Sequence, residues 1–132
     1  MTKKKMLNKL RTKLYWRLLE DYNISAADDE IDDLVDSSDE QDFCIELDGK
    51  EYRFIDDKYI WDIYVEEIQS VTEECYLNDI NTDNLWWIAI DWEKTAQNCF
   101  DADGYGHHFA SYDGEELEIM LNGDLYYFFR TN

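Results

Sequence analysis

The adjacent residues His107 and His108 are the first whose types suggest chemistry. They follow Asp101 and Asp103, and imidazole nitrogens together with carboxylates are common ligands of zinc in proteins. Residues 107–112, however, are predicted to form a strand, in which adjacent side chains point to opposite faces of the sheet. The two rings are therefore not expected to converge on one ion, and we predict no metal site here.

A second candidate metal site is the acidic stretch after the third predicted helix. Asp79, Asn81 and Asp83 are spaced like the first ligands of a calcium-binding loop. Such a loop has glycine at its sixth position and glutamate at its twelfth, where this sequence has Asn84 and Ile90. We expect an ordinary acidic loop, and no metal or other cofactor.

The sequence also has no spacing that is typical of a catalytic site. Cys44, Cys75 and Cys99 form no C-x-x-C pair, which favours buried thiols in a reducing compartment. A small hydrolase that uses a carboxylate pair or the segment 107–108 is an alternative, but 32 acidic residues make any chosen pair uninformative. We therefore predict that the protein is not an enzyme.

Charge is the strongest signal in the sequence. The 132 residues include 12 Lys and Arg against 32 Asp and Glu, a net charge of −20. Seven of the basic residues lie in residues 1–17, which contain no acid, so residues 18–132 carry five basic against 32 acidic residues, or −27. Such a body repels nucleic acids and anionic membranes and attracts cationic surfaces. Its expected partner is a basic, nucleic-acid-binding protein.

The elements that must position these charges are predicted from the spacing of apolar residues, which indicates one α+β domain over residues 1–132. Four helices are expected to cover the sheet. Their predicted bounds and caps are about 4–22; a short, very acidic helix capped by Ser25; a helix capped by Asp56 or Asp57 that reaches about Tyr76; and about 92–100, capped by Asp91.

Strands are predicted where apolar residues alternate or form a short unbroken run. The sheet is expected to be antiparallel and to combine a hairpin with a three-stranded C-terminal meander. The predicted parts are a hairpin of 43–47 and 52–54 on the turn Asp48-Gly49; a linker at 78–84; a buried strand at 85–90; and a meander of His107–Tyr112, Leu117–Leu121 and Leu125–Arg130, with turns at Asp113-Gly114 and Asn122-Gly123.

Acidic residues are densest between Asp28 and Asp42, where nine of fifteen residues are acidic and none is basic. Like charges at helical spacing destabilise a helix, so their concentration points to solubility or to a partner. We predict that they form the partner-binding face, supported by two rows on the third helix. The predicted set is Asp28, Asp29, Glu30, Asp32, Asp33, Asp36, Asp39, Glu40 and Asp42, with Asp62, Glu66 and Glu73 in one row and Glu67 and Glu74 in the other.

The total charge can be compared with that of DNA. A compact domain of this length is roughly 36 Å across, and duplex DNA of that length carries about 21 phosphate charges. The net charge of −20 is close to that number. A phosphate-mimicking surface and a merely solvated acidic surface are both consistent with this match.

The C-terminal third carries two short motifs. Residues 90–96 read Ile-Asp-Trp-Glu-Lys-Thr-Ala, and residues 126–130 read Tyr-Tyr-Phe-Phe-Arg. They resemble the helix start and the ending found in ArdA-type antirestriction proteins and in small acidic phage DNA mimics. The resemblance covers about residues 86–132 only. It implies a phage- or mobile-element-encoded protein that acts in the bacterial cytoplasm and occupies the DNA site of a defence enzyme. Because the mimicry in that family lies in dispersed carboxylates, it assigns no single residue a role.

The basic N-terminus needs a separate interpretation. Lys5, Lys9, Lys13 and Arg17 are spaced four apart, and such like charges would destabilise an isolated helix. The structural interpretation is that they lie beside the acidic surface of the same chain, or of a second copy in a homodimer. The functional interpretation is that they contact nucleic acid held by the partner.

Together these observations predict an acidic, DNA-mimic-like inhibitor of a nucleic-acid-binding host-defence protein, such as a restriction or CRISPR-type nuclease complex. An alternative is an acidic adaptor or regulatory subunit that binds a basic protein outside its nucleic-acid site. Competition with DNA distinguishes the two, since only a mimic must exclude nucleic acid.

Overall fold

The computed structural model describes residues 2–77 and 87–132, apart from the side chains of residues 3, 4 and 6–8. These residues form four α-helices and one antiparallel sheet of four strands. The predicted α+β class is therefore confirmed.

The first two helices are α1, Lys3–Tyr22, and α2, Asp28–Asp36. Helix α1 matches its prediction and ends where Asn23 adopts a left-handed conformation with φ 56°. The predicted cap of α2 at Ser25 is wrong, because the helix is capped at Ala27. Ala27 makes no side-chain cap hydrogen bond, but a carboxylate oxygen of Glu30 accepts the Ala27 N–H at 2.9 Å, which is the second half of a capping box.

The sheet is built from two hairpins. Strands β1, Asp42–Leu47, and β2, Lys50–Asp56, form the predicted first hairpin, and its turn residues Asp48 and Gly49 both have the positive φ that a type I′ turn requires. Strands β3, Leu117–Leu121, and β4, Asp124–Arg130, form the second hairpin. Because β2 pairs with β4, the strand order is β1-β2-β4-β3.

The other two helices are α3, Ile60–Thr72, and α4, Trp92–Phe109. Helix α3 continues into a π-helical turn at Glu73–Leu77, but neither Asp56 nor Asp57 caps it. The N-cap is Tyr59, because Asp56 accepts instead from the N–H of Lys58 in the preceding turn. The predicted cap of α4 is confirmed, since the Asp91 carboxylate accepts the N–H of Lys94 at 3.0 Å.

The predicted strand at 107–112 is wrong. Helix α4 is interrupted at Gly104, where φ is 70°, and then resumes to Phe109. Tyr105 and Phe109 are both buried and lie four residues apart, a helical spacing that outweighs the strand-like alternation of the segment. The C-terminal meander is consequently a two-stranded hairpin, and Asp113-Gly114 belongs to a loop.

The predicted buried strand at 85–90 is also wrong where it can be compared with the structure. Trp87, Ile88 and Ile90 are 66%, 48% and 42% exposed, and residues 87–90 pair with none of the four strands. The run leads directly into the cap of α4. Residues 85 and 86, the predicted linker and the calcium-like loop lie outside the described residues.

Both faces of the sheet are buried, which gives the molecule three layers. On one face, Phe54 and Phe128 pack with Leu18 of α1 and Leu34 of α2. On the other face, a second apolar cluster joins the sheet to α3 and α4. Its buried members are Ile55, Ile60, Tyr64, Ala96, Tyr105, Phe109, Ala110 and Phe129.

The helical ending of α4 packs tightly against the loop before β3. A Cβ atom added at Gly106 would overlap the carbonyl oxygen of Gly114.

Among the described helices, none is both long and apolar enough to cross a membrane.

Because a Cβ atom at Gly106 would overlap the Gly114 carbonyl oxygen, we expect Gly106→Ala to lower the free energy of unfolding by about 1–3 kcal/mol, the usual cost of overpacking. Asn98→Ala, at an exposed position of the same helix, serves as the control and should change it by less than about 0.5 kcal/mol. Urea denaturation measures both variants. Equal unfolding midpoints for Gly106→Ala and the parent would contradict the tight packing.

Candidate functional site

Helix α2 presents the densest part of the acidic surface. Its apolar residues Ile31, Leu34 and Val35 are buried against the sheet, so the acidic positions between them face outward. Glu30 is used by the fold itself, because one carboxylate oxygen accepts the N–H groups of Ala27 and Asp48 at 2.9 and 3.2 Å. The helix is thereby tied to the turn between β1 and β2.

Two further acids of the segment 28–42 form ion pairs within the chain. The Arg11 Nε atom lies 2.5 Å from a carboxylate oxygen of Asp32, which joins α1 to α2. Asp42 accepts two hydrogen bonds from the Arg53 guanidinium, at 2.8 and 2.6 Å. Three of the nine predicted partner-binding acids in this segment thus connect elements of the fold, and Asp29 accepts the N–H of Glu30 at 3.0 Å.

The other six acids of the segment are exposed and make no ion pair with a described residue. They are Asp28, Asp29, Asp33, Asp36, Asp39 and Glu40. Asp29, Asp33 and Asp36 lie within about 60° of one another around α2, on the side opposite the buried Leu34. We call these three residues the aspartate ridge.

The average charge density along α2 can be compared with that of nucleic acid. A nine-residue helix is about 13 Å long, and four of its carboxylates, Asp28 and the aspartate ridge, are exposed and make no ion pair with a described residue. Their average is about one charge per 3.4 Å of axis, as along a single strand of DNA, although the individual intervals of about 1.5, 6 and 4.5 Å are unequal.

A buried tyrosine holds the loop that carries Asp39 and Glu40. The Tyr126 hydroxyl lies 2.7 Å from the carbonyl oxygen of Ser38 and 2.6 Å from that of Glu40. Burial, together with the nearby charge of Asp56, raises the pKa of Tyr126 to about 12, so the hydroxyl stays protonated as a donor at neutral pH. The two exposed acids therefore stand on a loop fixed to the central strand β4.

The predicted acids of α3 and of the π-helical turn that follows it divide into an exposed group and one residue that is engaged within the fold. Asp62, Glu66, Glu73 and Glu74 are exposed, as a solvent-facing row requires. Glu67 instead turns toward the sheet and accepts hydrogen bonds from Arg53 at 3.2 and 2.6 Å. Its carboxylate also lies 3.1 Å from Nε2 of His108.

Arg53 is the centre of this network and connects three elements. Its guanidinium contacts Asp42 on β1 and Glu67 on α3, and it lies 5.0 Å from the centre of the Phe109 ring on α4. The hydrogen bond to Asp42 raises the pKa of Arg53 further above its usual value, although burial opposes this. Arg53 was not among the predicted site residues. The sequence signal that could have indicated its role is the position of an arginine between the apolar residues Tyr52 and Phe54.

Burial by itself would raise the pKa of the Glu67 carboxyl. Hydrogen bonds from His108 and Arg53, with the positive charge of Arg53, outweigh burial and lower this pKa to about 2. The ionised carboxylate therefore belongs to the folded structure and is not available to a partner.

The same network shows how the two acidic surfaces are related. Helices α2 and α3 lie on opposite faces of the sheet, so their exposed acids do not form one flat surface. Asp42 and Glu67 nevertheless share one guanidinium, which brings the end of the acidic segment to the middle of α3. The acidic surface thus continues from one face of the sheet to the other around the edge formed by β1.

The basic residues of α1 are distributed in a different way from the predicted ladder. Arg17 is paired on its own helix, 3.7 Å from Asp21. Lys5, Lys9 and Lys13 are exposed and make no ion pair with any described residue. We call these three residues the lysine strip. Contact with the chain's own acidic surface is therefore made by Arg11, outside the predicted ladder.

The histidines and cysteines provide no site within the described residues. His107 and His108 lie on a helix and not on a strand, so the predicted alternation of their side chains is wrong; His107 is exposed and His108 contacts Glu67. No group of three or more His, Cys, Asp or Glu side chains in this part of the chain is placed to hold a metal ion. Buried thiols were predicted, but Cys44 and Cys75 are exposed and Cys99 is half-buried.

Comparison with protein-family models, curated proteins and solved structures gives no match. The resemblance to ArdA-type proteins therefore stays a prediction.

The pKa of Glu67 predicts a specific dependence of stability on pH. The folded value lies below the ordinary 4.5, so ionised Glu67 stabilises the fold above about pH 4.5, and this contribution is lost as the pH falls through about 2. Glu67→Gln should lower the free energy of unfolding at pH 7 by about 1–2 kcal/mol, allowing for screening by solvent. The difference from the parent should disappear toward pH 2.

Glu66→Gln is the matched control, because Glu66 is the exposed neighbour and forms no ion pair with a described residue. Urea unfolding at several pH values measures all three proteins. The interpretation is wrong if the Glu67→Gln deficit is constant between pH 7 and pH 2, or if Glu66→Gln has the same deficit.

Proposed function

We propose that this protein is an acidic, DNA-mimic-like inhibitor that binds the nucleic-acid-binding surface of a host-defence protein. The favoured targets are restriction or CRISPR-type nuclease complexes in the cytoplasm of a bacterium infected by a phage or carrying a mobile element. The proposal assigns the protein no catalytic step and no cofactor. Its action is occupation of a site that would otherwise hold DNA.

The observation that carries this proposal is a set of exposed carboxylates that stand on a fixed support and make no ion pair with a described residue. The aspartate ridge stands on a helix whose other side is buried, and Asp39 and Glu40 stand on a loop held by Tyr126. Carboxylates in fixed positions lose little conformational freedom on binding. A cationic surface shaped to bind phosphates would find complementary charge there.

The internal ion pairs support the same interpretation. Arg11, Arg17, Arg53 and Lys58 each pair with a carboxylate of this chain, so these basic side chains do not mask the exposed acids. An acidic surface of this kind repels DNA and steers a basic protein toward it. The C-terminal resemblance to ArdA-type proteins is consistent with that class of partner.

The proposal is tested by capture and displacement. The full-length tagged protein is incubated with the heparin-binding fraction of a bacterial lysate, and retained proteins are challenged with duplex DNA. We expect a DNA-binding protein to be retained and then released by the duplex, because mimic and DNA compete for one site. Retention that duplex does not reduce would indicate the adaptor interpretation, and retention of no DNA-binding protein would contradict both.

A charge-neutralising variant tests which acids are responsible. Changing the aspartate ridge by Asp29→Asn, Asp33→Asn and Asp36→Asn should weaken binding of the captured protein at least about tenfold, because close interfacial charge pairs couple strongly. The same changes should preserve or raise the unfolding temperature, since they relieve repulsion and remove no buried group.

The control variant has Glu115→Gln, Glu116→Gln and Glu118→Gln, which changes the net charge by the same amount at the other end of the chain. Calorimetric titration compares the two variants with the parent. If the control loses affinity and the ridge variant does not, the binding surface is the region before and within β3. If neither loses affinity, the acidic surface is not the binding site.

A further inference from the structure

The outward face of α1 is the most basic surface of the described residues. Lys5, Lys9 and Lys13 lie within about 80° of one another around the helix, on the side opposite the buried Leu18. Trp16 lies within the same sector and is 51% exposed. Exposed Trp is a residue type that is enriched at binding surfaces and in their hot spots.

The three lysines have an electrostatic cost that the described residues do not offset. Like charges four residues apart each cost a helix a few tenths of a kcal/mol. No described carboxylate lies within 4 Å of the ammonium groups of Lys5, Lys9 or Lys13. An acidic surface from outside the monomer would remove that cost.

The aspartate ridge and the lysine strip lie on the two helices of one layer of the molecule. Helices α1 and α2 cover the same face of the sheet and are joined by the ion pair between Arg11 and Asp32. They also border a common groove, lined by Tyr15 on one side and Asp28 on the other. One layer therefore presents a positive strip on one helix and a negative ridge on the other.

We propose that this layer binds a second copy of the chain. A two-fold axis that lies in the interface, parallel to the layer and between the strip and the ridge, places the lysine strip of each copy on the aspartate ridge of the other. Such an interface is isologous, so both charge contacts form at once. The lysines are spaced about 6 Å apart along α1, and the ridge residues are about 6 and 4.5 Å apart along α2, so one interval of the two rows matches.

The neighbouring ridge is also the reason to favour a second copy over nucleic acid. A duplex on the lysine strip would bring its phosphates close to the aspartate ridge, and like charges would repel. A second copy presents the opposite charge at each place. The net charge of the two bodies is screened within about 8 Å at physiological ionic strength, whereas contacting pairs are screened less.

The aspartate ridge has two uses in this account, and they exclude one another. A ridge covered by a second copy is not available to a basic partner, so partner binding and dimerisation compete. The dimer can be tested independently of the proposed function, because its test needs only the purified chain.

The test is sedimentation equilibrium on the full-length protein. At about 0.15 M salt we expect a species of twice the 15.9 kDa chain mass, and at about 1 M salt a monomer, because exposed charges are then screened within about 3 Å. Trp16→Ala should raise the dissociation constant at least about tenfold with no change in charge.

Two charge-reversal variants make the test specific. One reverses the lysine strip, by Lys5→Glu, Lys9→Glu and Lys13→Glu. The other reverses the aspartate ridge, by Asp29→Lys, Asp33→Lys and Asp36→Lys. In each variant alone, the strip and the ridge positions carry the same charge. Two copies would therefore repel at both contacts, and the variant should be monomeric. An equimolar mixture faces opposite charge at both contacts and should form a heterodimer of twice the chain mass.

A third variant, with Asp62→Lys, Glu66→Lys and Glu73→Lys on α3, is the control, because these residues lie on the opposite face of the sheet. It should dimerise like the parent, and circular dichroism confirms that each variant is folded. A monomeric parent at every concentration, or a mixture that stays monomeric, would overturn the proposal. Retardation of duplex DNA that depends on the lysine strip in a monomeric parent would assign the strip to nucleic acid instead.

Discussion

Burial of both faces of one sheet holds together a chain whose own charge opposes compaction. Phe54 and Ile55 are neighbours on β2, yet each is fully buried in a different apolar cluster. Full burial of a large apolar side chain contributes about 1.5–3 kcal/mol, whereas a like-charge pair on a helix costs about 0.2–0.5 kcal/mol. The three buried residues of α2 therefore outweigh the repulsion among its acids, and the carboxylates can stay exposed.

Acidic residues in this fold have two roles that their spacing alone does not distinguish. Glu30, Asp32, Asp42 and Glu67 cap a helix or pair with an arginine, and they connect α1, α2, β1 and α3. Asp28, Asp39, Glu40 and the aspartate ridge, by contrast, make no ion pair with a described residue. The internal pairs thus position the elements, while the exposed carboxylates give the surface its charge.

Much of the fold could be predicted because local signals agreed with the tertiary structure. The turn residues at Asp48-Gly49, the cap at Asp91 and the apolar stripe of α1 each have a local physical cause. Segment 107–112 and residues 87–90 were predicted wrongly, because an apolar or alternating run acquires its structure from its packing partner. The engagement of Glu67 could not be predicted either, since it depends on Arg53, fourteen residues away, and on His108, forty-one residues away.

The central claim is that the exposed acids of α2 occupy a site made for phosphates. A structure of the protein bound to its captured partner, compared with the same partner bound to duplex DNA, tests this most directly. The account predicts that the Lys and Arg side chains that contact phosphates in the DNA complex lie within 4 Å of the aspartate ridge in the protein complex. It is contradicted if those side chains stay free in the protein complex, or if the partner contacts only surfaces distant from α2.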